Sequence, residues 1–194
     1  RERANYRWKE RIILCTLMLD GGNYMKKLFM IAGPMGVGKT TVCQALKTSL
    51  DKSVFLDGDW CWDMHPFNVN EETKTMVLDN ICFLLNNFIK CSSFENIIFC
   101  WVMHEQAIMD GILARLNTDN CRVLPVCLVC SESALKKRLQ GDILRGLRQE
   151  DVIKRSLERL KLYDEFKGIK LDVTKDTVQD TVQKLLACAE NECH

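Results

Sequence analysis

Residues 33–40 read Gly-Pro-Met-Gly-Val-Gly-Lys-Thr, and Thr41 follows. The stretch fits G-x-x-x-x-G-K-[ST] at every fixed position, a pattern with a definite mechanism. Its glycines let the backbone curl so that successive N–H groups point inward at phosphate oxygens. A helix starting at the end of the loop adds its positive pole to the same anion. Gly33, Met35, Gly36, Val37, Gly38, Lys39, Thr40 and Thr41 therefore form the expected nucleotide-binding set. Lys39 brings a mobile cation to the outer phosphates. Thr40 offers a hydroxyl to Mg²⁺, and Thr41 a hydroxyl to an inner phosphate. The site has to be local, because 27 Lys+Arg against 26 Asp+Glu leave the chain almost neutral.

A second group with chemistry is Asp57-Gly58-Asp59, which closes the short apolar run Val54–Leu56. At the carboxyl end of a parallel strand, two carboxylates stand where ligands bind. One suits the orientation of Mg²⁺, the other the proton of an attacking hydroxyl. A plain turn would also explain the Asp-Gly pair. Trp60 and Trp62 flank Cys61 directly after it. They suit either stacking on a flat acceptor or packing under a loop. His65 is a weaker candidate for the same pocket.

These residues need elements to hold them. Lys27–Ala32 is apolar without alternation, as a strand buried on both faces should be. A helix is expected over 39–50, a strand at Val54–Leu56 and a long helix over 71–90. In that helix Val77, Ile81, Leu84, Leu85 and Phe88 fall in phase. A third strand is expected at Ile97–Met103, followed by a helix carrying Ile108, Ile112, Leu113 and Leu116. A fourth strand spans Val123–Val129, and Ser131 caps a helix over 132–140. Residues 141–149, with Gly141, Gly146, Arg145 and Arg148, break the pattern. Helix resumes over 150–166, strand at Ile169–Val173 and helix over about 176–189. Five strands alternating with helices predict an α/β chain with a parallel sheet covered on both faces.

The loop between its strand and its helix resembles that of the small P-loop kinases, from about Lys26 to Ala189. That group includes nucleoside monophosphate, shikimate, gluconate and adenylylsulfate kinases and chloramphenicol phosphotransferases. The resemblance implies a P-loop NTPase fold with sheet order 2-3-1-4-5, ATP and Mg²⁺ as cofactors, and a helical lid. The phrase Leu56-Asp57-Gly58-Asp59 is similar to that of adenylylsulfate kinases. By that likeness Asp59 is the acceptor-side base and Asp57 belongs to the metal shell with Thr40. The segment between strands four and five is implied to be the lid, about 138–160. From 136 to 167 it holds ten Lys+Arg against six Asp+Glu. Arg145 and Arg148 are its expected catalytic arginines, neutralising charge on the transferring phosphoryl group. Arg138 stands at the near edge of the break, and Arg155 and Arg159 on the next helix serve either the lid or a solvated helix face. P-loop proteins often carry an Asp at the end of the third strand. Here that position reads Cys100-Trp101-Val102-Met103-His104-Glu105, so the metal shell falls to Thr40 and Asp57, or to His104 or Glu105.

The whole chain has 194 residues, 47% of them hydrophobic, which suits one globular domain. Near-zero net charge argues against strong nucleic-acid binding and against membrane attraction. The eleven cysteines lie largely in or beside apolar runs and are expected to be reduced, in a cytoplasmic protein. Cys127 and Cys130 have C-x-x-C spacing, but in a strand they point to opposite faces. Residues 1–24 read as translated upstream sequence. Gly21-Gly22-Asn23-Tyr24 permits a purine-rich ribosome-binding stretch just before Met25, the expected start; an N-terminal arm is the alternative. The sequence thus predicts an ATP-dependent phosphotransferase acting on a small molecule or nucleotide. An ATP-binding switch or slow ATPase stands second, a nucleic-acid end kinase third. The acceptor and the oligomeric state are not legible.

Overall fold

The computed structural model describes residues 25–191, so the expected upstream segment 1–24 lies outside the described residues. β1 (Lys26–Ala32) occupies the centre of the sheet, which is why its sequence lacks alternation. Its Leu28, Met30 and Ala32 enter one hydrophobic layer, and Phe29 and Ile31 the other. Each such buried side chain is worth roughly 1.5–3 kcal/mol relative to exposure.

β2 (Ser53–Asp57), β3 (Asn96–Cys100), β4 (Cys121–Val129) and β5 (Ile169–Asp172) complete the sheet. Its order is β2-β3-β1-β4-β5 and every pairing is parallel, as the resemblance implies. Register places Asp57 level with Cys100, and Ile31 level with Cys100 and Val126.

One face of the sheet is covered by α1 (Lys39–Ser49), α4 (Glu132–Leu144), α5 (Asp151–Leu160) and α6 (Val178–Asn191). The other is covered by α2 (Glu71–Lys90) and α3 (Gln106–Leu113), with Tyr163 of a 3₁₀ turn at Lys161–Glu165. The α2 stripe Val77, Ile81 and Leu85 is fully buried, at the predicted spacing. Cys127 joins the second layer and Cys130 the first, the opposite faces a strand requires. Among the described residues no helix is long and apolar enough to cross a membrane.

Two boundaries differ from expectation in ways that matter. β3 stops at Cys100 rather than at Met103. Trp101 donates to the Ile31 carbonyl and Val102 accepts from Gly33, so the chain stays beside β1 until Met103, where φ 36° turns it away. The expected break over 141–149 is shorter, because α4 runs through Gly141 to Leu144. A glycine inside a helix costs only about 1 kcal/mol relative to alanine, and the flanking turns outweigh it. The non-helical stretch of the expected lid is thus Arg145–Glu150, where Gly146 takes φ 71°.

Candidate active site

The phosphate loop runs from the end of β1 into α1. Gly36 and Gly38 take φ 82° and 106°, conformations that other residues resist. A Cβ on Gly36 would also lie 2.4 Å from Leu139 Cδ2, so the loop is seated on α4. Helix geometry leaves the N–H groups of Lys39, Thr40 and Thr41 without intrahelical acceptors. No side chain caps α1 at Gly38, and its first turn has no acidic residue. Unfilled donors and a positive helix end therefore converge on the loop. Lys39 Nζ lies across it, donating to the carbonyls of Gly33 at 2.8 Å and Pro34 at 3.0 Å. Burial pulls the Lys39 pKa below the ordinary lysine value. Cys100, Asp59 and Asp57 oppose that pull.

Asp57 ends β2 and is 4% exposed. Its Oδ2 accepts from Thr40 Oγ1 at 2.6 Å, and its Oδ1 from the Asp59 backbone N–H at 3.1 Å. Asp57 thereby caps a short 3₁₀ helix, Gly58–Trp62, and fixes the backbone of Asp59. A threonine hydroxyl beside a buried carboxylate is a hard oxygen pair of the type Mg²⁺ selects.

Asp59 faces solvent on the open side of this corner. Trp101 Nε1 donates to its Oδ1 at 3.1 Å. Partial burial raises the Asp59 pKa, and the neighbouring Asp57 charge raises it further. Lys39, the Trp101 hydrogen bond and Arg148 act the other way. The two carboxylates, Lys39 and Arg148 thus share one electrostatic neighbourhood.

The lid arginines are not free. Asp142, on α4, accepts from Arg145 at 2.7 Å and from Arg148 Nε at 3.1 Å. Arg145 also bonds the Gly141 carbonyl and is 68% exposed, whereas Arg148 is 34% exposed and reaches the field of Asp59. Arg138 does something different. Its two terminal nitrogens donate to the carbonyls of Val37 at 2.9 Å and Val173 at 2.6 Å. It therefore ties the phosphate loop to the segment after β5. Arg155 and Arg159 line a narrow cavity with Met35 of the loop and Val102, closed by Val152 and Ser156.

A family model described as an AAA domain matches residues 30–158, about two thirds of the chain. The chain belongs to that AAA-domain family. Solved structures share its fold at low identity. A gluconokinase from Sinorhizobium meliloti aligns with TM-score 0.62 at 18% identity, covering 86% of this chain and 92% of its own. The tunicamycin resistance protein of Deinococcus radiodurans aligns with TM-score 0.63 at 18% identity, over 84% and 95%. A shikimate kinase from Acinetobacter baumannii, solved with shikimate, aligns with TM-score 0.59 at 21% identity, over 89% and 97%. No curated protein matches the sequence. The fold of this AAA-domain chain is accordingly that of the small P-loop kinases.

Sequence reasoning gave no role to Trp101 and Asp142, and it placed Arg138 beside the break without its contacts to the phosphate loop. Trp101 carried a signal, since the carboxyl ends of parallel strands build ligand sites. Arg138 and Asp142 act through tertiary contacts that no spacing rule encodes. Trp60 and Trp62 divide: Trp60 stacks edge-on against Phe55 at 5.2 Å, while Trp62 packs on the α2 side and meets Phe67 at 6.0 Å. Trp60 remains 52% exposed and Phe67 68%. His104 pairs with Glu105 at 3.6 Å and answers electrically to Arg159, outside the group around Lys39.

Proposed function

We propose that the protein is an ATP-dependent phosphotransferase that moves the γ-phosphoryl group of Mg-ATP to a hydroxyl of a small molecule. The observation that carries this reading is Asp59: a carboxylate with a raised pKa, oriented by Trp101, across from Lys39 of the phosphate loop. A protein that only binds or slowly hydrolyses ATP has no use for such a group.

The loop N–H groups and Lys39 hold the phosphates. Lys39 has to leave the Gly33 and Pro34 carbonyls to do so, which its long stem permits. Thr40 and Asp57 would hold Mg²⁺, which supplies charge neutralisation along the polyphosphate. Asp59 accepts the proton of the acceptor hydroxyl. The hydroxyl oxygen bonds to the γ-phosphorus, the bond from that phosphorus to the bridging oxygen breaks, and ADP leaves. Arg148, on the lid, balances charge on the moving phosphoryl group.

The test is Asp59→Asn at saturating Mg-ATP, reading phosphorylated acceptor and free phosphate together. General bases contribute about 10²–10⁴-fold, and a loose transition state lowers the demand, so acceptor phosphorylation should fall at least about tenfold. Background hydrolysis should change far less. Equal losses in both would move Asp59 to the metal shell. No loss in either would favour the ATP-binding switch.

A further inference from the structure

Two side chains hold carbonyls of the phosphate loop. Lys39 takes those of Gly33 and Pro34, and Arg138 takes that of Val37 at 2.9 Å. The Lys39 bonds have to break when a phosphate enters; the Arg138 bond does not. Val37 directly precedes Gly38, and the peptide that joins them is trans. In a trans peptide the carbonyl and the N–H point in opposite directions. A side chain that fixes the Val37 carbonyl therefore fixes the Gly38 N–H as well.

The peptides on either side have backbone partners. The Val37 N–H donates to the Pro34 carbonyl at 3.3 Å, and the Gly38 carbonyl accepts from the Val42 N–H at 3.0 Å. Neither bond involves the peptide between them, which is held through Arg138. Without that tie it is free to turn over, because glycine accepts φ of either sign. Packing does not resist the turn either: a Cβ on Gly38 would meet no atom within 4 Å. The turned peptide would aim a carbonyl dipole, and not an N–H, at phosphate oxygens.

The far end of the brace is the firmer one. Arg138 Nη2 donates to the Val173 carbonyl at 2.6 Å. Val173 is buried, and its own N–H extends the sheet by bonding the Val129 carbonyl at 2.8 Å. Thr174 accepts from the Ser131 N–H at 2.9 Å, at the start of the helix that carries Arg138. A guanidinium presents its donors in a rigid planar fork, so the Val173 end sets where the Val37 end reaches. On the reading that this loop binds the phosphates of ATP, we propose that Arg138 is a positioning residue of the phosphate loop. It holds the Val37–Gly38 peptide so that the Gly38 N–H, with those of Lys39 and Thr40, faces the phosphates. Arg138 does this without touching the nucleotide.

The experiment compares Arg138→Lys and Arg138→Gln with the wild type, as full-length proteins well below their melting temperatures. Isotope labelling of the glycine amides reads the Gly38 resonance, first without ligand and then with inorganic tripolyphosphate. Calorimetry gives the affinities for tripolyphosphate and for a non-hydrolysable ATP analogue. A hydrogen bond to a charged group is worth roughly tenfold or more, so both affinities should fall at least about fivefold in either variant. Lysine keeps the charge but not the fork, so it should not restore them. The Gly38 resonance should already differ in the ligand-free variants. Ile81→Val, a buried change on the opposite face of the sheet, shows the effect of lost stability alone and should move neither readout. Loss of analogue affinity with tripolyphosphate binding unchanged would give Arg138 a contact with the base and overturn the proposal. So would full recovery by Arg138→Lys, or an unmoved ligand-free Gly38 resonance. Failure of the nucleotide reading looks different: the wild type binds neither ligand, while the ligand-free resonance still decides whether Arg138 sets the peptide.

Discussion

Gly58→Ala tests whether Trp101 sets the protonation of Asp59. Gly58 begins the 3₁₀ helix under the Trp101 ring. A Cβ there would lie 2.5 Å from Trp101 Cγ, 2.7 Å from Cδ1 and 3.0 Å from Cβ. Ordinary carbon contacts lie near 3.5–4.0 Å, so the ring has to retreat by about 1 Å. The hydrogen bond from Trp101 Nε1 to Asp59 is 3.1 Å long. A retreat of that size takes it to about 4 Å, beyond hydrogen-bonding range. Overpacking of this kind costs about 1–3 kcal/mol, which for a domain of this size lowers Tm by roughly 2–12 °C. The electrostatic consequence has a definite sign. Burial and Asp57 already raise the Asp59 pKa, and the Trp101 bond restrains the rise. Without that bond the pKa climbs further. The base works unprotonated, so the acid limb of kcat/KM for the acceptor, which reports the free enzyme, moves to higher pH. Trp101→Phe separates the two effects. It deletes the donor and keeps most of the ring, so the limb should move while stability drops by only about 0.5–1.5 kcal/mol. The assay is a pH–rate profile beside a thermal melt for each variant. A Gly58→Ala protein with unchanged melting and an unmoved acid limb would refute the coupling.

Other outcomes follow from the same geometry. Lys39→Ala should leave the circular dichroism spectrum intact and cut ATP-dependent turnover at least about a hundredfold, comparable to losing one charge-stabilising donor at a reacting centre. Turnover like that of the wild type would sink the phosphotransferase reading. Arg148→Ala should lower kcat at least about tenfold with little change in KM for ATP, because charge that develops during transfer acts on rate. Arg145→Ala, at a far more exposed position, should do less; the reverse order would mean the lid closes with Arg145 inward. Asp142→Asn weakens two pairings of a half-buried carboxylate with solvent-accessible arginines, each worth about 1 kcal/mol or less, so Tm should fall little while kcat follows Arg148→Ala in direction. Steady-state kinetics beside a melt distinguish this from a general loss of fold.

The sheet and the phosphate loop were legible because both rest on short-range signals. Loop spacing, strand length and the Val77–Ile81–Leu85 stripe are each read within a dozen residues. The lid was legible only as a break, and its edge fell several residues away because Gly141 stays helical. Asp142, four residues after Arg138, belongs to no motif of its own. Its role depends on the turn at Gly146 that brings Arg148 back onto α4. Arg138 shows the same limit at longer range: both of its acceptors are backbone carbonyls, 101 and 35 residues away, which side-chain pattern does not mark.

The position where P-loop proteins often keep a carboxylate, the end of the third strand, holds Cys100 here, and the structure suggests how the chain manages without it. Cys100 is fully buried in the same apolar cluster as Cys43 of α1. A charged carboxylate in that place would sit in an apolar layer at a cost of several kcal/mol. Asp57 is level with Cys100 on the adjoining strand, about 4.8 Å away across the ladder. There its buried carboxylate has a partner, the Thr40 hydroxyl at 2.6 Å. His104 and Glu105 do not compete for this task. Beyond Cys100 the chain turns at Met103 and carries them toward Arg159, while Lys39 and Asp59 answer to Asp57. The same turn frees Trp101 to reach Asp59 and sets the Val102 carbonyl where Tyr163 Oη donates to it at 2.7 Å. With Cys100 at the end of β3 and the carboxylate on the adjoining strand, the indole of Trp101 takes the place beside Asp59.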